Sequence, residues 1–296
     1  MLPPPFVAFI APARAYPQIW RLLLGMTLIA GVYFLWMALL GGLLWLASGL
    51  EGLDVRLYTI GRGSDPWSLL LLLTTFIGMA FGAWAAARLL HRRGLRSLVG
   101  RPSVVLRDFV LGVVVMLIVG GGLGLMFLPF TPALEPATPL AVWLTFLPLA
   151  LLGIAVQTGA EEMVFRGYLQ QQLAARFTSP LVWMVLPSIL FGMAHFAPAE
   201  MGESAWLVVA ATGVFGLIAA DLTARTGALG LAWGLHFANN CLAILLVSAM
   251  GGLDGLALFK LPEGAAHAEV LRPLLLADIA LMGVVWAACR LWLRRR

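Results

Sequence analysis

The feature that most constrains this chain is a series of eight apolar runs, most of them long enough to cross a bilayer. A spanning helix takes about 20 mostly apolar residues. The predicted runs cover 22–47, 68–90, 109–128, 140–160, 181–196, 206–220, 228–250 and 274–291, the fifth being short and interrupted by Pro187. Composition points the same way. The 296 residues are 61% hydrophobic and 11% charged, against about 45–50% and about 25% in soluble domains. The expected fold is an all-α polytopic membrane protein of about eight transmembrane helices, with a polar site in the bundle interior.

Arginine placement predicts the orientation. Arg88, Arg92, Arg93, Arg96, Arg101 and Arg107 crowd the connection after the second run. Short basic loops stay in the cytoplasm. Eight spans then place both termini there, together with Arg176, Arg225 and the arginines that end the chain, in a multi-pass protein of the cell membrane. The loops rich in Glu, Asp and Pro fall outside. The net charge of +5 does not indicate a nucleic-acid partner, because the arginines sit beside apolar runs. Cys241 and Cys289 lie far apart in apolar runs and are expected as buried free thiols. Neither a cleaved leader nor a lipidation signature is expected. The pairs Gly78/Gly82, Gly120/Gly124 and Gly230/Gly234 are expected to mark close helix packing. His91 and His267 are expected to be solvated in loops. No internal repeat supports an inverted-repeat transporter.

Ionisable groups inside a bilayer are costly and mark function by default. The fourth run closes in Gln157-Thr158-Gly159-Ala160-Glu161-Glu162-Met163-Val164-Phe165-Arg166, and this motif is expected to continue its helix towards Arg176. Glu162 and Arg166 are four apart and share a helix face, acid first, which is the better order. Glu161 sits about 100° round the helix, so one carboxylate can be neutralised while its neighbour stays free. Phe191 and His195 share a face of the fifth run, and His236 and Asn240 a face of the seventh. Three helices can therefore aim polar groups at one centre. A carboxylate and an imidazole around a water make a general base, and Asn and His donors can hold an oxyanion. A Ser nucleophile has no partner base here, and a GxSxG turn is absent. Glu161, His195 and His236 also make a His₂Glu set suited to catalytic zinc, although HExxH is missing.

Glu161-Glu162-x-x-x-Arg166, Phe191-x-x-x-His195 and His236-x-x-x-Asn240, in that order on successive membrane helices, resemble the CPBP family. This family comprises type II CAAX prenyl endopeptidases and bacteriocin-processing or self-immunity proteins. The resemblance covers about 140–250, and implies a division into helices one to three (1–139), a CAAX-protease-like core (140–250), and an outer loop with the last helix (251–296). It implies an intramembrane endopeptidase in which Glu161 and His195 activate water, His236 and Asn240 form the oxyanion site, and Glu162 and Arg166 support them. The expected partners are the bilayer and a membrane-associated peptide or protein substrate. No cofactor is expected, with zinc on Glu161, His195 and His236 as the competing possibility. A non-catalytic immunity or scaffold protein is the alternative. A proton-coupled transporter using Glu161, Glu162, His195 and Asp278 is a more distant one.

Overall fold

A computed structural model describes residues 2–248, 252–262 and 268–295. His267 and Met250 lie outside the described residues. In chain order the apolar helices are α1 (Ile19–Ser48), α2 (Pro66–His91), α3 (Pro102–Phe130), α4 (Leu140–Arg176), α5 (Leu181–Met193), α6 (Ala205–Thr226), α7 (Gly230–Leu246) and α8 (Ala268–Leu293). Six of them are long and apolar enough to cross a membrane, and α5 and α7 are shorter apolar helices. Helices suit such sequences because lipid offers the backbone no hydrogen-bond partners. The outer surface stays apolar, with Leu35, Leu46, Ile118 and Leu125 largely exposed.

The connections hold what the apolar pattern missed. Leu53–Arg62 forms a helix between Gly52 and Gly63, both in the left-handed region that glycine favours. Asp65 then caps α2, its carboxylate accepting from the amides of Trp67 and Ser68 and from the Ser68 hydroxyl. Burial works against that charge, but these hydrogen bonds win and hold its carboxyl below the usual range. At the same end, three two-residue strands join distant loops. Phe259–Lys260 pairs antiparallel with Glu135–Pro136 and parallel with Val247–Ser248.

The other end carries the arginine-rich connection. The Pro/Ala-rich N-terminus is not a mere lead-in. Pro4–Ile10 is a short helix that buries Phe6 and Ile10 completely, and Phe6 packs on Trp183 of α5 with ring centroids 5.1 Å apart. His91 is not solvated either. It is buried, its Nδ1 donating to the Tyr16 carbonyl (3.0 Å) and its Nε2 accepting from the Tyr168 hydroxyl (2.8 Å). The reason is that α4 continues past its apolar run and carries Tyr168 under the end of α2.

Glycines set the close contacts. A Cβ at Gly112 would lie 2.6 Å from the Leu231 carbonyl oxygen, and a Cβ at Gly234 would run into the Phe109 carbonyl. α3 and α7 therefore touch backbone to backbone. Gly78 is pressed on Trp36. Gly124, in contrast, has open space around it, so Gly120/Gly124 is not a contact pair, because this stretch of α3 faces outward. Gly234→Ala should accordingly cost about 1–3 kcal/mol and lower the unfolding temperature in detergent. Gly124→Ala should shift stability by less than about 0.5 kcal/mol. Equal melting of the two variants would contradict the α3–α7 contact.

Candidate active site

The glutamate pair stands at mid-bundle. The apolar run closes near residue 160 and the glutamate motif continues its helix, as expected from the sequence: α4 extends from Glu162 to Arg176, a further rise of about 21 Å at 1.5 Å per residue. α5 climbs back over Leu181–Met193, about 20 Å. The two nearly equal rises return the chain to the level of Glu161, where His195 follows the end of α5. Met163–Gln170 are wound as a π-helix, a local widening often found at functional sites. α4 here is buried almost all round, with Glu161, Glu162, Arg166, Gln170 and Gln171 all buried.

Glu162 has no exposed surface, and Arg166 very little. Arg166 Nη1 donates to Glu162 Oε1 at 2.9 Å. The guanidinium also donates to the Gly216 carbonyl of α6 (3.4 Å) and lies over the Phe191 ring of α5, 4.4 Å from its centroid. Gly216 allows α5 to come this close, since a Cβ there would lie 3.0 Å from Ser188 Cα.

His236 of α7 lies between the two carboxylates. Its Nδ1 donates to Glu162 Oε1 at 2.9 Å, and its Nε2 approaches Glu161 Oε2 at 3.4 Å. A carboxylate only accepts, so Nδ1 carries a proton. Nε2 and Glu161 Oε2 repel unless one proton lies between them. Glu161 Oε2 is buried and has no hydrogen-bond donor among the described residues. The imidazole is wedged between Phe215 (4.9 Å) and Phe191 (5.9 Å between centroids).

His195 stacks on the other partner of this ring, 4.9 Å from Phe191. Its Nδ1 donates to the Phe191 carbonyl at 2.9 Å, which leaves the Nε2 lone pair free. One phenyl ring thus separates the two imidazoles. No hydrogen bond or ion pair joins His195 to Glu161 among the described residues. Nor do three His, Cys, Asp or Glu side chains among them gather closely enough to hold a metal ion. As placed, Glu161 and His236 supply two donors of a His₂Glu set, and His195 does not complete it.

Asn240 Nδ2 donates to Gln157 Oε1 at 2.9 Å. Sequence reasoning assigned no role to Gln157, although its signal was present: it is the residue four before Glu161, polar inside an apolar run. Phe215, Gly216 and Trp233 left no such signal. Trp233 Nε1 donates to the Ala155 carbonyl (3.1 Å) and the Thr158 hydroxyl (3.2 Å), and Gly159 makes room for its ring.

These residues lie on α4, just past the end of α5, on α6 and on α7, all inside one matched segment. Residues 139–242 match the sequence model of the family described as type II CAAX prenyl endopeptidase Rce1-like. The chain is 26% identical over 269 residues to a protein of Bacillus subtilis (strain 168), named uncharacterized protein YyaK, covering 84% of this chain and 86% of that protein. No solved structure matches it.

The two glutamates should differ in what their loss does to the fold. Glu162→Gln leaves Arg166 as an uncompensated buried charge, which typically costs about 3–5 kcal/mol. Glu161→Gln removes no such partner and should melt close to the parent. Thermal unfolding of the two purified variants in one detergent decides this, and equal losses would refute the division of roles.

Proposed function

We propose that this chain, a member of the CPBP family through its 139–242 segment, is an intramembrane endopeptidase. It hydrolyses a peptide bond of a membrane-associated protein or peptide. The observation that carries this reading is His236 held between Glu161 and Glu162, with Glu162 already committed to Arg166. One acid is thereby a fixed structural charge and its neighbour is left able to exchange a proton. Paired acids in unlike environments are how a single site separates such roles.

In the proposed mechanism a water lies between Glu161 and His195. Glu161, aided by the free Nε2 of His195, takes a proton from that water, and the oxygen attacks the peptide carbonyl carbon. Negative charge moves to the carbonyl oxygen. His236, protonated on both ring nitrogens and oriented through Nδ1 by Glu162, donates from Nε2 to this oxyanion. Asn240 adds a second donor, because its NH₂ gives one proton to Gln157 and retains the other. Collapse of the intermediate breaks the C–N bond, and the proton held by Glu161 goes to the leaving amine.

We propose that the reaction needs no metal. What supports this is that Asn240 has a task without one, as the second donor beside His236. The substrate is proposed only as a class. The cytoplasmic location of both termini is likewise a proposal, resting on the arginine-rich end of the bundle.

In a peptide-cleavage assay with purified protein, Glu161→Gln should abolish turnover. Asn240→Ala should lower it by about 10²–10³, the typical loss of one oxyanion donor, with melting unchanged. Activity retained in Glu161→Gln would overturn the mechanism, and binding without cleavage by the parent would favour the scaffold alternative. Elemental analysis of active, chelator-treated protein tests the metal separately: zinc lost and regained in step with activity would overturn the metal-free mechanism and leave the protease reading standing. A reporter fused to the C-terminus should report the cytoplasmic side, and a signal from the opposite side would mean a miscounted span.

A further inference from the structure

A second feature lies far from the glutamates, at the arginine-rich end of the bundle. A cleft of about 920 Å³ opens between the N-terminal helix Pro4–Ile10, the 96–104 connection and the end of α6. Arg96, Arg101 and Ser103 form one wall, and Pro5, Ala8 and Pro12 form the other. The first turn of α3 contributes to the polar wall, and that helix starts without a side-chain cap, so the positive end of its dipole faces the same space.

The two arginines have no counter-charge. Neither side chain makes a hydrogen bond or ion pair among the described residues. The carboxylates at this end are already engaged: Asp108 with Arg107 at 2.9 Å, and Asp221 with Arg225 at 2.9 Å and Arg290 at 3.0 Å. No carboxylate described at this end is therefore left for Arg96 and Arg101, and an anion from outside the chain can take that place.

Depth narrows what that anion is. The cleft sits where α2 ends, α3 begins and α6 ends, which is the level of the lipid headgroups. Trp20, at the start of α1 and 57% exposed, marks the same level, since tryptophan collects at membrane–water interfaces. A soluble anion has no use for the apolar wall, whereas a phospholipid presents a phosphate and, beside it, a glycerol backbone and acyl chains. We propose that this cleft binds the headgroup of an anionic phospholipid, its phosphate between Arg96 and Arg101 and its glycerol region against Pro5, Ala8 and Pro12. The bound lipid fastens the N-terminal helix to the α2–α3 connection.

The test uses the full chain in detergent, titrated with phosphatidylglycerol, with phosphatidylcholine and with inorganic phosphate. Bound lipid is counted by native mass spectrometry, and stability is followed by thermal unfolding. Phosphatidylglycerol should bind and raise the unfolding temperature, and the other two should not. Arg96→Gln combined with Arg101→Gln should weaken that binding by about tenfold to thirtyfold, from about one basic-residue contribution each. Both side chains are exposed, so the lipid-free variant should melt like the parent. The control, Arg294→Gln with Arg295→Gln, removes the same charge from exposed positions near the same end and should bind like the parent. Equal weakening in both double variants would overturn the site in favour of general surface charge. Equal binding of phosphatidylcholine would overturn the anion requirement, and equal stabilisation by inorganic phosphate would overturn the lipid.

Discussion

The ion pair of Glu162 and Arg166 is the contact on which the rest of the site depends. Two charges withdrawn from water persist only if their remaining donors and lone pairs are met. Arg166 meets this condition with groups from several helices: the carboxylate on its own helix, the Phe191 face of α5 and the Gly216 carbonyl of α6. Glu162 adds α7 through His236. Separating any of these helices would strand a charge, so one pair fixes the mutual placement of four. The π-helical winding begins at Met163, directly after Glu162, and shifts the register by which Arg166 reaches back to its partner.

The eight helices were legible because each must present a long apolar surface, and that demand is written residue by residue. Their ends were less so. α4 runs on to Arg176 because its inner half is buried in protein. Its polar residues find partners there: Gln170 donates to the Ala220 carbonyl, and Gln171 donates to the Ser97 carbonyl. Hydropathy reads such a stretch as leaving the membrane. The N-terminal helix escaped for the opposite reason. Seven residues are too short for a periodic pattern, and only the large side chains Phe6 and Ile10 hint at burial. His91 was misread because a basic loop looks solvated whatever packs beneath it.

Within the site, spacing along one helix was readable and contact between helices was not. Glu162 with Arg166, and His236 with Asn240, follow from a four-residue step. Which carboxylate His236 would meet does not, because it depends on the rotation and height of α7 against α4. Gly159 governs part of that height by admitting Trp233, and Gly112 and Gly234 govern the rest through α3. A glycine states that something comes close without naming what does. The same limit hid the Gln157–Asn240 bond, whose members are separated by most of three helices.

The inner half of α4 shows why such a site is placed where it is. Below the carboxylates, the connection after α2 is drawn in rather than left in water. Arg93 is buried, donates to Ser97 and to the Gln171 side chain, and burial lowers its guanidinium to about 10, against an opposing pull from Tyr168. His91 holds Tyr168 from the same side. These bonds tie α4 to the connections that surround its inner end, and on the other side of Glu162 the helix is held by Gln157, by Trp233 and by Trp143, which donates to the Leu245 carbonyl, with Ala150 and Ile154 buried against α2 and α7. A helix held along both halves keeps Glu161 at one height relative to the helices that carry His236 and Asn240. That fixed height is what the proposed mechanism requires, because Glu161 must meet a water on one side while His236 Nε2, 3.4 Å from its Oε2, faces the substrate carbonyl.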